Sequence, residues 1–71
     1  MEDSIQTLWN EIKALVAEVE VDLTKNITKG NSASGVRARK NLRILKAHAA
    51  ALTKLTVEND KARKLEKHSG E

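Results

Sequence analysis

Apolar residues stand at Ile5, Leu8, Ile12, Leu15, Val19, Leu23 and Ile27, in steps of three and four that hold them on one helical face. Trp9 and Val16 widen that face, while Glu11, Lys13, Glu18, Glu20 and Lys25 occupy the other side. Ser4 is placed to cap the start behind the acidic Glu2 and Asp3, and Lys25 and Lys29 suit the negative end of the dipole. The pattern predicts a first helix over about residues 4–29, ~38 Å long at 1.5 Å per residue. Gly30 then stands where a helix end calls for a left-handed residue, and Asn31 or Ser32 can cap a new helix. The second helix is predicted over about residues 33–67, with an apolar face of Ala38, Leu42, Leu45, Ala49, Leu52, Leu55, Ala62 and Leu65. Gly35 falls in its first turn, where it is tolerated. At ~52 Å this helix must overhang the first.

A turn confined to residues 30–32 makes the two helices antiparallel neighbours. The expected fold is therefore all-α, a two-helix antiparallel hairpin forming one domain over residues 1–71. Two helices enclose little by themselves, and a chain this short buries a modest share of its surface. A homodimer of hairpins packed as a four-helix bundle is the expected remedy. The residues expected in the core or dimer contact are Ile5, Leu8, Trp9, Ile12, Leu15, Val19, Leu42, Leu45 and Leu52. Trp9 reads either as an anchor between protomers or as ordinary packing within one. Asn59 falls on the stripe of helix two, either solvated beyond the overhang or as a polar contact that sets register.

Composition removes alternatives. Cysteine, proline, tyrosine and phenylalanine are absent and there is a single tryptophan. Neither disulfides nor thiolate metal sites can staple the chain, and a sheet core lacks its usual aromatics. No apolar run approaches the ~20 residues that span a bilayer. The acidic start Met1-Glu2-Asp3 is unlike a signal peptide, so a cytoplasmic setting is expected and the Asn26-Ile27-Thr28 sequon carries no weight.

Charge is divided between the halves. Residues 1–29 hold three lysines against six carboxylates, and residues 30–71 hold ten Lys/Arg against four. Such asymmetry points to a polyanion on the basic side. Arg39, Arg43 and Lys46 share one side of helix two, opposite Ala38, Leu42, Leu45 and Ala49. Lys40, Lys54, Lys61 and Lys64 extend that side. Arg37 sits in the first turn, where the dipole disfavours a cation, which suggests that something else requires it. Lys and Arg arranged this way neutralise phosphates, and exposed N–H groups around Ser32, Ala33 and Ser34 offer one more anion contact. The competing reading is a solvated helix face.

No zinc-finger spacing, aromatic stacking platform or short recognition helix occurs, so sequence-specific reading is not expected. Catalytic patterns are missing too. His48 and His68 stand twenty residues apart without ligand-spaced partners, and Asp22 with Glu18 reads as a surface pair. No enzyme activity, cofactor, metal or small-molecule substrate is expected.

The segment Gly30-Asn31-Ser32-Ala33-Ser34-Gly35-Val36-Arg37-Ala38-Arg39-Lys40 resembles the G-N-K-A-A-G-x-R-A-R-K pattern of the bacterial linker-histone-like family, which includes the chlamydial histone-like protein and shorter relatives. The likeness extends loosely over most of the chain. Ser32 replaces a common lysine and Ser34 a common alanine. The resemblance implies a nucleoid-associated protein that binds double-stranded DNA non-specifically and helps to compact, bridge or bend it. Chlamydial members carry a Lys/Ala-rich tail. This sequence ends at Glu71 without one, so helix two is expected to supply the affinity. The residues expected at DNA are Arg37, Arg39, Lys40, Arg43, Lys46, Lys54 and Ser32. The alternatives are a helical protein-interaction module with an acidic partner, and an RNA-binding protein.

Overall fold

Strong helix formers run almost unbroken on either side of Gly30, and the chain folds accordingly. The structure, a computed structural model, describes residues 2–70, with side chains through Lys64. Helix α1 spans Glu2–Lys29 and α2 spans Ser32–Gly70, with no strand among the described residues. Because α1 begins at Glu2, Ser4 lies inside its first turn and does not cap it. The predicted end at Lys67 is passed by three residues. The expected positions of Leu65 on the apolar face and of His68 lie outside the described side chains.

The turn is Gly30 and Asn31 alone. Gly30 has φ +63°, and its N–H donates to the Asn26 carbonyl at 3.0 Å, closing α1 with a left-handed cap. Asn31 is the N-cap of α2: its Oδ1 accepts from the Ser34 N–H at 3.0 Å and its carbonyl from the Gly35 N–H at 3.2 Å. The Asn26 side chain ties the two caps together by donating to the Asn31 carbonyl at 3.0 Å.

The arms then run antiparallel in a rod of 59 × 14 × 14 Å. The inward residues of α1 are Ile5, Leu8, Ile12, Leu15, Val19, Asp22 and Asn26, all buried or half-buried. Those of α2 are Ser34, Ala38, Asn41, Leu45, His48, Leu52, Leu55 and Asn59. Both sets alternate steps of three and four throughout, the 3.5-residue period of a coiled coil. Ile12, Val19 and Ala38 form the buried apolar core.

This register corrects the expected faces near the turn. Leu23 and Ile27 are exposed, and Asp22 and Asn26 take their places. On α2, Leu42, Ala49 and Ala62 are exposed, while Asn41 and His48 turn inward. Asp22 is not half of a surface pair with Glu18: it is buried. Asn59 is half-buried on the seam. Among the expected core residues, Trp9 and Leu42 are exposed in the single hairpin, and Ile5, Leu8, Leu15, Leu45 and Leu52 are half-buried. Among the described residues no helix is long and apolar enough to cross a membrane.

Candidate nucleic-acid interface

Carboxylates and cations are sorted by the seam. On one flank, positions just before an inward residue reach across to the other arm. Arg37 Nε and Nη2 both approach Asp22 Oδ1 at 3.3 Å, and Nη2 also donates to Ser34 Oγ at 3.1 Å. Asn41 Nδ2 donates to Glu18 Oε2 at 3.2 Å, and His48 Nε2 lies 3.1 Å from Glu11 Oε2. At the open end Arg63 pairs with Glu2, and this hydrogen bond and charge hold the Glu2 carboxyl below the usual carboxylate range. From Asp22–Arg37 to Glu18–Asn41 to Glu11–His48, four and then seven residues down α1 match four and then seven up α2. The ladder thus reports one unbroken register.

Arg37 is therefore explained in part by its own fold. The cation that the helix dipole disfavours is held by Asp22, whose side chain is 12% exposed, while the Arg37 side chain remains 54% exposed. The burial of Asp22 among helix residues is tolerable because the charge is paired. Sequence reasoning missed the inward placement of Asp22, Asn26 and Asn41, for which the alternation of three and four, held strictly along both arms, was the available signal; it also missed the close approach at Gly35, which has no local signal.

The remaining cations form the outer face. Arg39, Lys40, Arg43, Lys46, Lys54, Lys61 and Lys64 are all exposed on α2. They project from the sides of α2 turned away from α1, over ~38 Å of helix. Among the described residues, Arg39, Lys40, Arg43, Lys46 and Lys54 make no ion pair or hydrogen bond, whereas Arg37, His48 and Arg63 each have a carboxylate partner. Ser32, also exposed, opens α2 beside this face. Among the described residues, pairing between the arms thus lies on the two flanks, the Asp22–Arg37 ladder on one and Glu2–Arg63 on the other, and the outer face is left unpaired.

A protein-family model described as histone H1-like protein Hc1 matches residues 6–62. The chain belongs to this family. The match runs from just after Ile5 in α1 through the turn and along α2 past Lys61, so Hc1-family membership covers both arms. It agrees with the expectation drawn from the Gly30–Lys40 segment and carries the general role of a DNA-binding nucleoid protein. No curated protein and no solved structure matches the chain. Among the described residues of this Hc1-family chain, no group of three His, Cys, Asp or Glu side chains is placed to hold a metal ion.

Proposed function

We propose that this Hc1-family chain binds duplex DNA without sequence preference, through phosphate contacts along the outer face of α2. The observation that carries the reading is the row of Arg39, Lys40, Arg43, Lys46 and Lys54, all exposed and, among the described residues, without a carboxylate partner, whereas Arg37 and Arg63 on the same helix are paired. Each such cation displaces condensed counterions from the backbone, and arginine adds forked hydrogen bonds to phosphate oxygens. Arg37 and Ser32 extend the contact at the turn. A rigid cationic rod touches successive phosphates without entering base edges, which gives affinity and no base readout. The protein acts in the cytoplasm at the nucleoid, as a homodimer, and helps to compact DNA.

Titrating random-sequence duplex across a salt series tests this. Log affinity should fall linearly with log salt, with a slope of about −0.9 per phosphate contacted. Replacing Arg39, Arg43 and Lys46 with Ala should flatten that slope by about 3 and weaken binding to all sequences alike. Affinity that ignores salt, or capture of single- or double-stranded RNA in preference to DNA, would overturn the reading.

A further inference from the structure

One flank of the hairpin holds the polar ladder; the other is apolar between Trp9 and Leu23, with the Glu2–Arg63 pair beyond it at the open end and the Lys13 ammonium 5.9 Å from the Trp9 ring centroid. Trp9, Val16 and Leu23 follow inward residues of α1 at intervals of seven, and Leu42 and Ala49 do the same on α2. In an antiparallel pair these positions share one side. Trp9, Val16, Leu23 and Leu42 are 46%, 48%, 37% and 41% exposed in the single hairpin. From Trp9 to Leu23 the seam is ~21 Å long and follows the straight axis of the rod. Three buried apolar residues, Ile12, Val19 and Ala38, are a small core for two helices of this length.

The covering surface must be apolar, straight and of matching length, with acidic and basic edges in reverse order. A second copy of the chain has these properties. Two symmetric ways of stacking the flanks exist. With the turns at opposite ends, α1 lies on α1 and α2 on α2, setting like charge against like and leaving Trp9 and Leu23 facing each other. With the turns at the same end, each α1 lies on the partner's α2. The acidic arm then meets the basic one, and the bulk of Trp9 falls opposite Ala49 at the same height along the rod, with Val16 opposite Leu42.

We propose that a second copy docks on the Trp9–Val16–Leu23 and Leu42–Ala49 flank, each α1 against the partner's α2, with both turns at one end. This gives the proposed dimer its geometry, and its consequence for DNA rests on the phosphate-binding reading above. The two α2 helices sit on a diagonal of the four-helix bundle, so their outer cationic faces point in opposite directions. Such a dimer joins two duplexes side by side.

Sedimentation without nucleic acid should give twice the 7.9 kDa chain mass, with Trp9 emission shifting to the blue as dimer forms. Val16→Glu should shift the species to monomer, whereas Val21→Glu, at an exposed position off this flank, should leave the dimer intact. Because the chain has no cysteine, mixing Val16→Cys and Leu42→Cys chains gives a direct readout of orientation, independent of whether the glutamate variant folds. Oxidation should link the two kinds of chain to each other. Self-linking of Val16→Cys chains in preference to mixed linking, or a dimer indifferent to Val16→Glu, would overturn the proposal. These measurements contain no DNA, so they stand or fall apart from the phosphate-binding reading. With DNA present, and with both proteins binding the immobilised duplex, a second labelled duplex should be retained through the wild-type protein and at least tenfold less through Val16→Glu; equal retention of the second duplex by two DNA-bound proteins would also overturn the proposal.

Discussion

Two glycines near the turn do opposite things. Gly30 has open space around it and is needed for its backbone angle: φ +63° is sterically disfavoured for a side chain. Gly35 has ordinary helical geometry and is needed for its missing side chain. A Cβ there would stand 2.7 Å from Asn26 Nδ2 and 3.2 Å from its Cγ, displacing the carboxamide that donates to the Asn31 carbonyl. Gly30→Ala should therefore cost about 1–2 kcal/mol whatever its neighbours are. Gly35→Ala should lose about 1 kcal/mol through the broken hydrogen bond, against the gain that alanine normally brings inside a helix. In an Asn26→Ala background the same change should become neutral or stabilising by about 0.5–1 kcal/mol, and denaturant melts of the four variants would measure the coupling. Additive losses would show that the close approach at Gly35 is not the cause. Gly30 and the Asn31 cap were legible in the sequence because turn chemistry is local. Gly35 was not, since what excludes its side chain comes from nine residues earlier on the other arm.

At the scale of the helices, two arms and a tight turn followed from periodicity, but the face near the turn did not. Following apolar identity leads from Val19 to Leu23 and Ile27, a drift toward the 3.6-residue period of a lone helix. Packing against a partner enforces 3.5, and the seam passes through Asp22 and Asn26 instead. Polar residues are accepted there because each finds a partner across the seam or at the turn, Arg37 for Asp22 and the Asn31 carbonyl for Asn26. The open end is held differently, by Glu2 and Arg63 on the surface. The Glu2 carboxyl titrates below its ordinary value of about 4.3, so the pair helps the folded state above that pH and is lost as pH falls through the lowered value. An NMR titration should find Glu2 with the lower midpoint in the intact chain and return it toward the ordinary range in Arg63→Ala. An unchanged midpoint would remove Arg63 as the cause.

For the molecule as a whole, the outer cationic face of α2 was readable because Arg39, Arg43 and Lys46 repeat along one side of one helix. Its isolation from the carboxylates was not, since that depends on which flank each acidic residue of α1 reaches. Burial also grades along the rod: Asp22, Ser34, Gly35 and Ala38 are buried toward the turn, while the open end has only half-buried seam residues. Amide exchange should accordingly be slowest around Ile12–Val19 and Ala38–His48, and fastest near Glu2–Leu8 and Thr53–Lys64. Uniform protection along both arms would contradict the grading. The cross-arm ladder has a further consequence for how such a chain can vary in length. A single residue inserted in α1 below Asp22 would rotate Glu18 and Glu11 by about 100° away from Asn41 and His48. The same insertion would turn Ile12 and Leu15 out of the seam. Between the turn and the last rung, the two arms can lengthen or shorten only together and in whole heptads, like the paired rails of a ladder that must gain a rung at once. Beyond Glu11–His48 the arms are joined only by half-buried seam residues and the exposed Glu2–Arg63 pair, so variation in length is least costly there.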